Sequence, residues 1–116
     1  MSDRTEVACQ LAIMMKARKL VANQFTKQAA ARNKDGDECD PLCDDAITFC
    51  SVGALVRYIG KDSMYELWPF VECMGFFRPS LLMDFHDSHT KAEVLAKFDE
   101  GIAKLGAKIP AFDDAA

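Results

Sequence analysis

Apolar residues recur at the helical period in several stretches of this chain, and the clearest lies towards its C-terminal end. Val94, Leu95, Phe98, Ile102 and Leu105 share one face, while Lys91, Glu93, Lys97, Asp99, Glu100 and Lys104 take the other. Thr90 and Glu93 form a T-x-x-E capping box ahead of it, in which each side chain satisfies the other residue's backbone N–H. Glu93 to Lys97 and Glu100 to Lys104 are i,i+4 pairs in the favourable order, roughly 0.3 kcal/mol each. Gly106 is expected to supply a left-handed stop, with Pro110 beyond it. The preceding Phe85-His86-Asp87-Ser88-His89 reads as a turn leading into this helix.

The same period predicts a first helix of about five turns through Val7, Leu11, Met14, Met15 and Val21, opened by a second capping box at Asp3-Arg4-Thr5-Glu6. Its methionines read as core. From Phe25 the pattern weakens. Asn33-Lys34-Asp35-Gly36 is a turn signal, so Lys27 to Cys39 is expected to form a short hairpin; the alternative is a helix through Gln28-Ala29-Ala30-Ala31-Arg32. The uncharged run from Ala46 to Val56 predicts a buried segment, with a central helix starting near Cys50 and with Gly53 and Ala54 allowing a neighbour to approach closely. Ser63-Met64-Tyr65-Glu66 resembles a third capping box, before Leu67, Phe70, Val71 and Met74; Pro69 is expected to kink or divide that helix. Arg78-Pro79-Ser80 starts one more short helical turn through Leu81, Leu82 and Met83. The expected fold is therefore mainly α (α+β): one compact domain over residues 1–109, built as a bundle of four or five helices with a small β-hairpin, and a frayed tail over 110–116.

Composition sharpens this picture without naming a reaction. The chain has 116 residues, 50% hydrophobic and 28% charged, which excludes a disordered polymer. Ser2, Asp3 and Glu6 interrupt any secretory h-region, and no apolar run spans a bilayer, so a soluble cytoplasmic protein without a membrane partner is expected. Five cysteines, Cys9, Cys39, Cys43, Cys50 and Cys73, form no regular framework and suit a reducing compartment. The net charge of −4 conceals a basic stretch from Lys16 to Lys34 followed by an acidic one from Asp35 to Asp45. The two blocks are expected to attract one another, and this cancellation argues against a nucleic-acid partner.

Candidate chemistry is sparse. Cys39-x-x-x-Cys43 has no second ligand pair to complete a zinc site, and an EF-hand register that puts Gly36 at loop position six leaves Ala31 and Leu42 where carboxylates are required. Asp84, His86, Asp87 and His89 offer metal-ligand chemistry, but neighbouring residues of one turn rarely converge on one ion; the helix-entrance reading has Asp87 and Ser88 holding turn amides and His89 packing against Val94. No metal and no cofactor is expected. A thiol at a helix N-terminus can be activated, so Cys50 with Asp87 and a histidine, His89 or His86, forms a candidate catalytic set. No G-x-G-x-x-G, P-loop, H-E-x-x-H or G-x-S-x-G occurs. Arg32, Trp68, Phe76 and Phe77 are candidate binding residues, and Trp68, Phe70, Phe76 and Phe77 are read as an exposed patch for self-association, with core as the alternative.

Three blocks carry a resemblance. Ala31-Arg32-Asn33-Lys34-Asp35-Gly36, Cys50-x-x-Gly53-Ala54-Leu55 and Phe85-His86-Asp87-x-x-Thr90-x-x-Glu93-Val94-Leu95 are similar, in order, to the A-R-D-x-x-G, C-x-x-G-A-L and F-N-D-x-x-x-T-x-x-E-V-L blocks of a small family of functionally uncharacterised bacterial and phage proteins. This chain has His86 where that pattern usually has Asn, and Phe25 where Trp is usual; the first departure argues against His86 as an inherited metal ligand. The resemblance implies a bacterial or phage origin and brings no activity with it. The expected function is a non-enzymatic protein-interaction or regulatory module, phage-derived in its sharpest form, engaging a protein partner or a second copy. The alternative is a small cysteine-dependent hydrolase or transferase using Cys50 with Asp87 and a histidine.

Overall fold

The computed structural model describes residues 4–109. Five helices, α1 (Arg4–Asn23), α2 (Ser51–Ile59), α3 (Met64–Cys73), α4 (Pro79–Ser88) and α5 (Lys91–Ala107), surround one two-stranded sheet made of β1 (Ala31–Arg32) and β2 (Thr48–Phe49). The fold is mainly α, as expected. Val7, Met14, Ala17 and Val21 form the buried line of α1, which packs most extensively on α5 and α2. Against it lie Ala54, Leu55 and Val56 of α2, Val71 and Met74 of α3, Leu82 of α4, and Val94, Phe98 and Leu105 of α5, in one continuous apolar cluster. Met15 points outward, 53% exposed, so only part of the methionine stripe is core. Asp3 of the first capping box lies outside the described residues.

The strands pair antiparallel, with Ala31 opposite Phe49 and Arg32 opposite Thr48. The expected turn at Asn33 to Gly36 is present, closed by Asn33 N–H on Asp37 O (2.9 Å) and Cys39 N–H on Ala31 O (3.0 Å). A single bridge, Arg32 to Glu38, spans it, but the main partner of β1 is the distant β2 rather than residues up to Cys39. The alternative helix over 28–32 is absent; Gln28 sits at φ +62° and breaks it.

Several helix limits differ from the sequence expectation. The Thr90–Glu93 capping box forms, with Thr90 N–H on Glu93 Oε1 (2.8 Å) and Glu93 N–H on Thr90 Oγ1 (3.2 Å). These Thr90 bonds hold the Glu93 carboxyl below its ordinary pKa. Because the cap occupies Glu93, Lys97 pairs instead with Glu100 at 3.7 Å, which also takes Lys104 at 3.5 Å. Gly106 lies within α5 rather than ending it. Ser63 stands at the start of α3 without a side-chain cap bond, and α3 runs through Pro69 undivided. The helix at Pro79 is ten residues long instead of one turn, because it absorbs Phe85 to Ser88; the expected turn is the last turn of α4. The buried positions Leu82 and His86, four apart, seat that extra turn in the core.

The basic and acidic blocks do not pair. Among the described residues no ion pair joins them: Arg18 reaches Asp99 (2.6 Å), and Arg32 binds uncharged oxygens. Among the described residues, no helix is long and apolar enough to cross a membrane.

Two glycines make the packing testable. A Cβ on Gly53 would lie 1.8 Å from the Ala30 carbonyl oxygen, a backbone atom that cannot swing aside, whereas one on Gly106 would meet nothing within 4 Å. Gly53→Ala is expected to cost about 3 kcal/mol, and Gly106→Ala to stabilise by about 0.5–1 kcal/mol, both read from urea unfolding.

Candidate functional site

The candidate catalytic residues meet where α2 begins and α4 ends. Cys50 is the N-cap of α2, extended at φ −85° and ψ 177°, and its Sγ accepts from Gly53 N–H at 3.3 Å. A thiol here spends its lone pair on the helix N-terminus, the task usually given to Ser or Asp. Cys50 is only 2% exposed. Burial pushes its pKa up, the Gly53 and Val52 amides oppose this, and the nearby Asp87 charge raises it further. The fold therefore does bring Asp87 near Cys50, but in an arrangement that keeps the thiol protonated.

Ser51 and His86 are both fully buried. Ser51 Oγ lies 2.6 Å from His86 Nδ1, with Ser51 N–H on the same nitrogen at 3.2 Å. On the other side, Nε2 is 2.6 Å from the Thr26 carbonyl oxygen. A carbonyl only accepts, so Nε2 carries the proton and Nδ1 accepts from the Ser51 hydroxyl. Burial lowers the His86 pKa from its ordinary 6.5; the Thr26 bond and Asp87 act the other way, and Lys27 acts with burial. Phe25 stacks on the imidazole, with ring centres 4.6 Å apart. The serine–histidine distance is within nucleophile–base reach. Neither side chain is open to solvent, however, and the third partner is a backbone carbonyl.

Asp87 points back to the same segment, accepting from Gln28 N–H at 2.8 Å. Cys50 N–H donates to Ala30 O at 3.1 Å, and Thr26 N–H to Phe49 O at 3.1 Å. Segment 24–31 is thus held by side chains and backbone of α2, α4 and β2. Arg32 completes the attachment, reaching Thr26 Oγ1 (3.1 Å), Gly36 O (2.9 Å) and Lys27 O (3.2 Å). This candidate binding residue is a loop clamp.

His89 stands apart from the thiol. It stacks on Phe85 at 3.7 Å, and its Nδ1–H is shared between Phe85 O (2.9 Å) and Ser88 Oγ (2.9 Å). Of the candidate catalytic set, Cys50 and Asp87 come together and His89 does not. The histidine that joins them is His86, through Ser51. The one polar signal for this was Ser51 itself, a hydroxyl in the middle of an apolar run.

The aromatic candidates divide, and Phe70 is not on the surface at all: it is buried in the core through the inner stripe of α3. Phe76 is partly buried, edge-on to Phe85 at 5.4 Å and beneath Lys97. Phe77 is 73% exposed and meets the edge of the partly buried Trp68 at 6.2 Å. Tyr65, 93% exposed, joins Trp68, Pro69 and Glu72 around an open groove of about 570 Å³. The sequence reading missed Tyr65, although it lies three residues before Trp68 on the same helix. Among protein-family models, curated proteins and solved structures, no match to this chain is found.

The His86 geometry predicts a pH dependence. Its folded pKa lies below 6.5, so the unfolded chain takes up the proton first as pH falls. The stabilisation is complete above about pH 6.5 and declines as pH drops towards the folded value. Glu93 adds a similar loss only below its ordinary 4.5. Urea midpoints are expected to fall between about pH 7.5 and 5.5, and His86→Gln to flatten that slope while lowering stability at neutral pH.

Proposed function

We propose that the protein is a non-enzymatic protein-interaction or regulatory module of the cytoplasm, related to the bacterial and phage family it resembles, and that it engages a protein through the outer face of α3. The observation that carries this reading is the aromatic surface itself. Tyr65 and Phe77 stand 93% and 73% exposed, Tyr65 sharing a groove with Trp68 and Phe77 meeting its ring edge. Aromatic residues on one face, bordering a groove, are the composition of a protein-binding patch. The chemistry-bearing residues point the same way, because Cys50, Ser51 and His86 are buried and committed to holding segment 24–31. The family reading draws support from the three blocks, since Arg32, Cys50 and Asp87 all bind that one segment. The two departures from the family pattern, Phe25 and His86, fall at a single stacked contact.

Affinity capture from cell lysate, run in parallel with the wild-type chain and Trp68→Ala, tests the interaction. A protein retained by the wild type and lost by the variant is expected; no Trp68-dependent partner, together with strictly monomeric behaviour in light scattering, overturns the proposal. The cysteine-hydrolase alternative has its own measurement. Alkylation mapped by peptide mass spectrometry should label the exposed Cys9 and Cys43 readily and Cys50 far more slowly across about pH 6 to 8. Fast labelling of Cys50 in the folded chain would restore the alternative.

A further inference from the structure

Segment 24–31 is fastened by polar contacts more than by burial. Of its side chains Ala29 and Ala31 are buried, Phe25, Thr26 and Ala30 are partly so, and Gln24, Lys27 and Gln28 are exposed. Few buried apolar contacts place a segment at the low-stability end of a fold, where it opens without the rest. What holds it is the set of bonds to Thr26, Gln28 and Ala30, with the Phe25 ring stacked on the His86 imidazole. His86 serves two of these attachments at once, and histidine is the side chain whose charge changes near neutral pH.

The ring is placed so that its neutral form fits and its cation does not. Ser51 is the first residue of α2, so its N–H is one of the helix's free N-terminal donors, and it meets His86 Nδ1 at 3.2 Å. A proton on Nδ1 turns that acceptor into a second donor. The Ser51 hydroxyl can rotate away from the conflict, whereas the backbone N–H cannot, and the positive end of the α2 dipole adds to the repulsion. Of the charged side chains acting on the ring, Asp87 on α4 favours the cation and Lys27 in the segment opposes it. From α2 comes the Cys50 thiol, uncharged in acid, and among the described residues α3 and α5 bring no charge to the ring. We propose that this segment is an acid-released flap: protonation of His86 drives the ring from the start of α2, frees Thr26 and Phe25, and lets residues 25–30 lift while the helical core stays folded. The first turn of α2 is what it uncovers, since the Ala30 carbonyl lies against Gly53 and accepts from Cys50 N–H. A closed flap holds a neutral ring and an open one a ring of ordinary basicity, so opening is favoured as pH falls below about 6.5.

Thiol exchange of the full chain with a dipyridyl disulfide, a reagent active in mild acid, tests this, with each cysteine followed by peptide mass spectrometry. The exposed Cys9 and Cys43 are internal references, and the buried Cys73 on α3 reports unfolding of the whole chain. Relative to the references, Cys50 is expected to react about five- to tenfold faster at about pH 5.5 than at about pH 7.5, with Cys73 still protected and the helical circular dichroism unchanged. His86→Gln, which takes up no proton in this range, is expected to give one Cys50 ratio at both pH values. A wild-type ratio that does not move with pH overturns the proposal, and so does a rise in which Cys73 opens together with Cys50. Amide hydrogen exchange of the wild type, corrected for intrinsic rates, decides the matter without any variant: the Gln28 and Cys50 amides lose protection in acid ahead of those of α5, and equal loss overturns the flap.

Discussion

The structure turns on one buried imidazole. His86 reaches Ser51 at the start of α2 with Nδ1 and the Thr26 carbonyl with Nε2, each at 2.6 Å, and so ties α4 to two parts of the chain that are 35 and 60 residues away. Segment 24–31 has almost no regular structure, and its backbone groups need partners once it lies against the core. His86 satisfies Thr26 O, Asp87 satisfies Gln28 N–H, and Cys50 N–H satisfies Ala30 O. The left-handed turn at Gln28 and the missing Cβ of Gly53 let the segment come this close. Losing the His86 bond would leave the part-buried Thr26 carbonyl unpaired, the costlier side of hydrogen bonding, about 1–3 kcal/mol.

That arrangement also explains why residues suggestive of catalysis do not form a working nucleophile. A reactive cysteine requires a thiolate and access; Cys50 has a raised pKa and 2% exposure, and its sulfur is already an acceptor at the helix cap. Ser51 and His86 stand at catalytic distance, yet the imidazole gives its proton to a fixed backbone carbonyl. The same hydrogen bonds that close the clasp consume the groups a reaction would need. Reactive-looking residue types here serve attachment.

On α3 the balance is reversed. Its inner stripe is buried in the core, while on its outer side Tyr65 stands in solvent. The helix is anchored by one face, and the short loop to α4 brings Phe77 against the edge of Trp68. The backbone of this aromatic face is held in place by the helix's buried side.

Much of the helical framework was legible in the sequence because its signals are local. The Thr90–Glu93 box, the apolar period of α5 and the start of α2 at Cys50 depend on neighbours within four residues, and all three stand in the structure. Local signals misled where distant packing overruled them. Phe85 to Ser88 looked like a turn, but seating His86 beside Ser51 extends α4 through it; Lys27 to Cys39 looked like a closed hairpin, but β1 finds its main partner at Thr48 and Phe49. The presence of Cys50, Asp87 and two histidines was written in the sequence. Which histidine joins them, whether the thiol is exposed, and that Tyr65 completes the aromatic face were decided only by the tertiary structure, because burial and the pairing of residues up to 60 positions apart are properties of the packed chain.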